Sequence, residues 1–181
     1  MARGIIITGP AGSGKSTLGR IVAEALSIPY FDIDDFLWRW DTPQPYTVMR
    51  TREEKIAGLM AAIAPHAHFC MGGSMSSFHE HFDPFFDLSV LLMCDPAIRT
   101  ERLAARSVQR FGPRALPGGD LYEAEKRFRE SAGDYETGAK SPNLQEHTAW
   151  LQSLPCPMLR LNGALPPEHN CALIVDAWKN R

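Results

Sequence analysis

Apolar positions along the chain follow two alternating patterns. Short, mainly apolar runs recur at residues 5–8, 30–33, 68–71, 88–93 and 157–161, as expected of strands buried on both faces of a parallel sheet. Between them the spacing changes to three and four. Leu18, Ile21, Val22, Ala25 and Leu26 form one stripe and predict a helix over 16–26, stopped by Pro29. Thr51 and Glu54 spell a capping box at the head of a helix reaching about residue 64, with Pro65 behind it. Asp95-Pro96 supplies an N-cap and an N1 proline for a helix to about residue 110. Asp120 and Glu123 repeat the capping pattern, Ser141-Pro142 opens a further helix, and 166–179 reads as a closing amphipathic one. Residues 111–119, with three Gly and two Pro, form a turn-rich connection. Five strands alternating with helices predict a three-layer α/β domain over residues 1–181, without repeat or linker.

Composition narrows the setting. At 181 residues, 44% of them hydrophobic, the chain can bury a core without help from a metal or disulfide. Cys70, Cys94, Cys156 and Cys171 lie far apart with no C-x-x-C pair, so they are expected to be reduced core fillers. No apolar run approaches the roughly 18 residues of a membrane span, and the N-terminus lacks the layout of a signal peptide. A soluble, cytoplasmic protein is expected. The net charge of −2 lacks the basic excess of a nucleic-acid binder, which disfavours an RNA- or DNA-end kinase. Yet 14 of the 19 basic residues are Arg, and seven of those lie between Arg99 and Arg129. Arginine is the side chain suited to bidentate phosphate contacts.

The phosphate itself is announced near the start. Residues 9–16, Gly9-Pro-Ala11-Gly12-Ser13-Gly14-Lys15-Ser16, fit G-x-x-x-x-G-K-[ST], the Walker A pattern. From this composition an accidental match has a probability of roughly 0.003, before the flanking strand and helix are required. The glycines let successive backbone N–H groups converge on an anion, and the following helix N-terminus adds partial positive charge. Lys15 would reach the β and γ phosphates, Ser16 would ligate Mg²⁺, and Thr17 could meet an α phosphate. The second strand ends Asp32-Ile33-Asp34-Asp35, and strand alternation would put Asp32 and Asp34 on one face at the carboxyl edge of the sheet. There one carboxylate could organise magnesium while the other accepts a proton from a hydroxyl; the plain alternative is that these acids solvate a loop and cap a turn.

An N-terminal Walker A, D-x-D after the second strand, Gly72-Gly73 after the third, and Arg102-Leu103-x-x-Arg106 before an Arg-rich segment together resemble the adenylate, shikimate and gluconate kinase group of small P-loop kinases. The fuller layout D-x-D-D-F-x-W, G-G-S and C-P-M-L-R-L-N-G is similar to bacterial proteins described as adenylate-kinase-like or AAA-family ATPases. This resemblance covers nearly the whole chain. It implies a P-loop NTPase fold with sheet order 2-3-1-4-5, an acceptor-binding segment at about 34–64 and a lid at about 111–134. It further implies that Arg102 lies against the adenine and Arg106 near the phosphates, both on one helix face. Arg114, Lys126, Arg127 and Arg129 would be the lid's cations, unless they are spent on Glu123, Glu125 or Glu130. Asn162-Gly163 would form a loop beside the adenine. Two departures stand out: Gly72-Gly73-Ser74 replaces the triple glycine of shikimate kinase, and the third strand has no acidic Walker B residue.

The activity expected is therefore transfer of a phosphoryl group from ATP·Mg²⁺ to a small-molecule acceptor. Lys15, Asp34 and Arg106 would be catalytic, and Ser16 and Asp32 would hold the metal. Asp34, Asp35, Arg50, Gly72 and Gly73 would meet the acceptor. The alternative is a nucleotide-binding ATPase or switch acting through a protein partner. Trp38, Trp40, Tyr46 and Phe36 either line an apolar acceptor site or cover the sheet edge. His79-Glu80-His81 has the wrong spacing for a metal on one helix face, though His79 could lie beside the acceptor. Ser74 to Ser77 lack the G-x-S-x-G elbow and a placed His partner, which argues against a serine hydrolase.

Overall fold

The five apolar runs pair into one sheet. The computed structural model describes residues 2–43, 45–138 and 140–181. Its strands are β1 (Arg3–Thr8), β2 (Tyr30–Asp32), β3 (His68–Gly72), β4 (Phe86–Met93) and β5 (Met158–Asn162). All pair in parallel, in the order β2-β3-β1-β4-β5. The helices are α1 (Lys15–Leu26), α2 (Asp34–Leu37), α3 (Arg52–Ile63), α4 (Pro96–Phe111), α5 (Tyr122–Gly133), α6 (Leu144–Ser153) and α7 (Pro167–Lys179). None is long and apolar enough to cross a membrane.

Strand alternation divides the core in two. Ile5, Ile7, Val90 and Leu92 face Leu18 and Val22 of α1 and Ile174 and Trp178 of α7. Ile6, Phe69, Met71 and Leu91 face the other way, onto Leu59 and Ile63 of α3 and Trp150 and Leu151 of α6. Each such side chain, fully buried, contributes about 1.5–3 kcal/mol relative to exposure, so both layers are anchored through the central strands. Cys70, Cys94 and Cys171 are buried as expected, whereas Cys156 is only half-buried, packed against the edge of the α3–α6 layer.

Local signals held where nothing competed with them. Thr51 accepts from the Glu54 N–H at 3.2 Å while Glu54 accepts from the Thr51 N–H at 2.8 Å, completing the capping box of α3. The Asp95 carboxylate likewise accepts from the Ala97 N–H at 2.8 Å. Three expectations need correction. Asp120 does not cap α5; both its oxygens are taken by Arg114, at 2.9 and 2.7 Å, and the helix starts at Tyr122 without a side-chain cap. The helix expected from Ser141-Pro142 begins at Leu144, capped by Asn143, while Ser141 donates to Glu146 at 2.7 Å. Asp34 is not on a strand: β2 ends at Asp32, and Ile33 turns the chain into α2, which Asp34 opens.

Candidate active site

Because every strand runs in the same direction, the loops that follow β1, β2, β3 and β4 meet at one edge of the sheet, where open α/β sheets bind ligands. The loop from Gly9 to Gly14 leaves β1 there and feeds into α1. Gly14 sits at the N-cap with φ +100°, and Gly12 at φ +80°, both in the left-handed region that suits glycine. A Cβ on Gly12 would lie 2.8 Å from the Arg99 carbonyl oxygen, so the loop also needs glycine there to seat against α4. Ala11 is half-buried, whereas Thr17 is exposed on the first turn of α1.

The Lys15 amine is enclosed by this loop and donates to the Pro10 carbonyl at 2.7 Å. Loss of solvent pulls its pKa down to about 8, a fall opposed by the nearby Asp34 and Asp32 carboxylates and aided by Arg106 and Arg99. Ser13 in the same loop has a buried hydroxyl oxygen with no hydrogen-bond partner. Such a group is costly to bury unless something meets it. A cationic amine and an unpartnered hydroxyl, in a glycine-shaped loop that runs into a helix N-terminus, fit a phosphate chain. Beside them Ser16 donates to Asp32 Oδ2 at 2.7 Å, a hydroxyl and a carboxylate that match the hard oxygen ligands magnesium takes. Tyr30 reaches the same carboxylate oxygen at 3.4 Å.

Although the strand argument for Asp34 fails, the turn at Ile33 still brings its carboxylate under the influence of Lys15 and Asp32. Its N–H donates to Asp32 Oδ1 at 3.2 Å. Burial, and then the charge of Asp32, push the Asp34 pKa up, while Lys15 and Arg106 hold it back. Asp35, more open to solvent, is raised by burial and by Asp32. Lys15, Asp34 and Arg106, from three separate segments, thus share one electrostatic neighbourhood. The turn after β3 packs closely behind Asp34: a Cβ on Gly73, at φ +140°, would fall 2.7 Å from Ile33 Cβ. Gly72 accepts from the Ile33 N–H at 2.9 Å.

Helix α4 presents two faces. Arg99, Leu103 and Ser107 are buried, and Arg102 and Arg106 occupy the neighbouring stripe. Arg102 donates to the Gly163 carbonyl at 2.9 Å and lies over Gly14, so it joins the phosphate loop to the Asn162-Gly163 turn. Of the cations expected in the lid, Arg114 is held by Asp120 and also reaches the Pro43 carbonyl at 3.4 Å. Lys126, Arg127 and Arg129 form no ion pair with a described residue. The expected partners Glu123, Glu125 and Glu130 are not used by any of the four; Glu125 accepts from Ser107.

The acceptor side is mixed. Arg50 closes a narrow antiparallel loop, its N–H donating to Leu37 at 2.8 Å, and its guanidinium has no hydrogen bond or ion pair among the described residues. Arg52 is spent on Ser77 and Glu80. Phe36 packs into the core against Phe31, whereas Trp38 and Trp40 meet Tyr46 edge-on at 5.8 and 5.0 Å, with Arg110 stacked on the Tyr46 ring. His79 bonds Asp83 at 2.9 Å and packs against Trp150, which ties it into the core.

Sequence reasoning missed one group. His147, on α6, bonds Ser74 at 2.9 Å and Tyr135 at 2.8 Å. Ser74 therefore does have a histidine partner, supplied from 73 residues away, but the third member is a tyrosine rather than a carboxylate. The signal available was a polar residue on an apolar helical stripe, since His147 shares the buried face of Trp150 and Leu151.

Comparisons with known proteins bear on the family and the fold. The AAA domain family matches residues 5–112. The YqaC protein of Bacillus subtilis (strain 168) is 32% identical over 179 residues, 97% of each chain. Shikimate kinase 2 of Escherichia coli O7:K1 (strain IAI39 / ExPEC) is 27% identical over 140 residues, 72% of this chain and 79% of that one. Among solved structures, a sugar kinase from Janibacter sp. HTCC2649 superposes with a TM-score of 0.54 at 15% identity, covering 99% of this chain and 95% of its own.

Proposed function

As this chain belongs to the AAA domain family and to the P-loop small-molecule kinase group, we propose that it transfers the γ-phosphoryl group of ATP to a small-molecule acceptor. The observation that supports this reading is that Asp34 and Arg106 both lie within electrostatic reach of the Lys15 amine held by the loop. An amine in the phosphate loop, a carboxylate with a raised pKa and a guanidinium that influence one another's charge are the parts needed to hold a donor, activate an acceptor hydroxyl and neutralise charge between them.

In this reading Lys15 and the backbone N–H groups of Gly9, Ala11, Gly12, Ser13 and Gly14 hold the donor phosphates, and Thr17 meets the innermost one. Ser16 and Asp32 hold Mg²⁺, which would neutralise charge on the phosphate oxygens. Arg102 lies against the adenine and Arg106 against the transferring group. Asp34, with Asp35 beside it, orients the acceptor hydroxyl and takes its proton; burial raises its proton affinity toward that of a useful base. Gly72, Gly73 and Arg50 receive the acceptor, and closure of 111–134 brings Lys126, Arg127 or Arg129 onto the site and excludes water. Were the acceptor itself a phosphate, no base would be needed.

A second reading, a nucleotide switch with a protein partner, draws support from Trp40, Val48 and Met49, which are exposed together on the loop before α3. One experiment separates them. ADP release from ATP·Mg²⁺ is followed alone and against nucleoside monophosphates, nucleosides, sugar acids and polyols, with Lys15→Ala as control. A rise of at least about tenfold with one acceptor, abolished in the control, is expected of the kinase. Slow release indifferent to every acceptor sinks it in favour of the switch.

A further inference from the structure

The residues assigned to the reaction leave one buried polar cluster unused. It lies on the α3–α6 side of the sheet, where β1 and β3 end. His147 is 1% exposed, and its ring meets Ser74 through Nε2 at 2.9 Å and Tyr135 through Nδ1 at 2.8 Å. Thr8, the last residue before the phosphate loop, lies 3.4 Å from both ring nitrogens. We infer that His147 is a positioning residue for the proposed transfer, binding the Gly73-Ser74 turn to the foot of segment 111–134 so that nucleotide binding at the loop also orders the acceptor side. This rests on the nucleotide-binding reading given above.

The physical case starts with protonation. Burial, reinforced by the Lys15 charge, lowers the His147 pKa to about 4, so the ring is neutral at ordinary pH. A neutral imidazole donates at one nitrogen and accepts at the other, and both neighbours are hydroxyls able to take either part. In an apolar setting neither nitrogen can be left unpaired without a penalty. Ser74 and Tyr135, 61 residues apart in sequence, are thereby held at one separation. Ser74 passes the constraint to Ser76, whose hydroxyl is 2.8 Å away.

The other end reaches the phosphate loop. The Tyr135 ring lies beneath the Arg99 guanidinium at 5.9 Å. Its chain neighbour Glu136 accepts from Arg99 through both oxygens, at 2.7 and 2.6 Å. Arg99 in turn backs onto Gly12, with its carbonyl oxygen and Cβ 2.8 and 3.1 Å from where a Cβ would stand. An unbroken line of contacts therefore runs from Gly12 through Arg99, Tyr135 and His147 to Ser74. A histidine that only filled the core would need partners, but not partners that join the two sides of the proposed site.

The test is hydrogen exchange on the full chain, with and without Mg²⁺ and a non-hydrolysable ATP analogue, comparing segments 9–17 and 72–78. Tyr135→Phe and Ser74→Ala each remove one hydroxyl and break the line at opposite ends of His147. In the unaltered chain the analogue should slow exchange in both segments. In either variant the slowing at 9–17 persists, while that at 72–78 falls at least about fivefold, the lower range of coupling between sites. The double variant should fall no further than Ser74→Ala alone, because that substitution removes the last link to the turn whether the coupling arrives through Tyr135 or through Thr8. The inference is overturned, with nucleotide binding intact, if 9–17 is protected but 72–78 never is, if the singles leave 72–78 unchanged, or if the two effects multiply. Absence of protection at 9–17 in the unaltered chain removes the nucleotide reading and this inference together.

Discussion

Lys15 and Asp34 are each driven toward neutrality by burial, and each is held back by the other's charge. For the free chain the consequence for stability has a definite sign. Unfolded, Lys15 keeps its proton to 10.5; folded, only to about 8. The unfolded state therefore binds more protons between these values, and this group adds stability as pH rises from 8 toward 10.5. Phosphates arriving at the amine restore its proton. Nucleotide binding should thus take up close to one proton per site at about pH 9 and almost none at about pH 6.5. Calorimetric titration in buffers of different ionisation enthalpy measures this, and equal uptake at both values would show that Lys15 does not meet the phosphates. Asp34→Asn keeps the side-chain shape but removes the carboxylate proposed as the base. With a hydroxyl acceptor, turnover should fall at least about 100-fold while nucleotide affinity stays within about threefold; unchanged turnover would remove Asp34 from the chemistry.

At the scale of elements, α4 carries more than its apolar pattern declares. Its buried stripe begins with Arg99, an arginine with 2% of its side chain exposed that is paired to a Glu136 still 31% exposed. Glu136→Ala leaves that guanidinium without its carboxylate. The loss should be about 3 kcal/mol in urea unfolding, the lower end for a broken buried pair because Glu136 is partly solvated; a loss below about 1 kcal/mol would mean that solvent replaces the carboxylate readily. Helix caps show how far an element could be read from its letters. Thr51-x-x-Glu54 and Asp120-x-x-Glu123 look alike in sequence, yet only the first caps a helix. A cap is a local hydrogen bond worth about 1 kcal/mol, and Arg114 offers Asp120 two charge-assisted ones.

For the whole molecule, the common direction of the strands brings every loop of the proposed site to one edge, so a ligand there binds only the folded state. At a nucleotide concentration about 100 times Kd, mass action adds about 2.7 kcal/mol. For a chain of this size the unfolding midpoint should rise by roughly 5–10 °C. Thermal melts with and without ATP·Mg²⁺ check this. Lys15→Ala should show no rise, and a rise retained in that variant would place the nucleotide elsewhere.

The strands, most helices and the phosphate loop with Lys15 and Ser16 were legible in the chain of letters, because apolar period, caps and a contiguous motif declare each of them within a few residues. Even the strand order followed from a likeness carried by short motifs. Only the folded chain showed how the second carboxylate comes under the influence of Lys15, since Ile33 turns into a helix instead of continuing β2. It also decided that Asp120 serves Arg114 and that Arg52 is spent on Glu80. Above all it placed His147 between Ser74 and Tyr135. These are partnerships between side chains distant in sequence, where each group has several possible partners and only packing selects one.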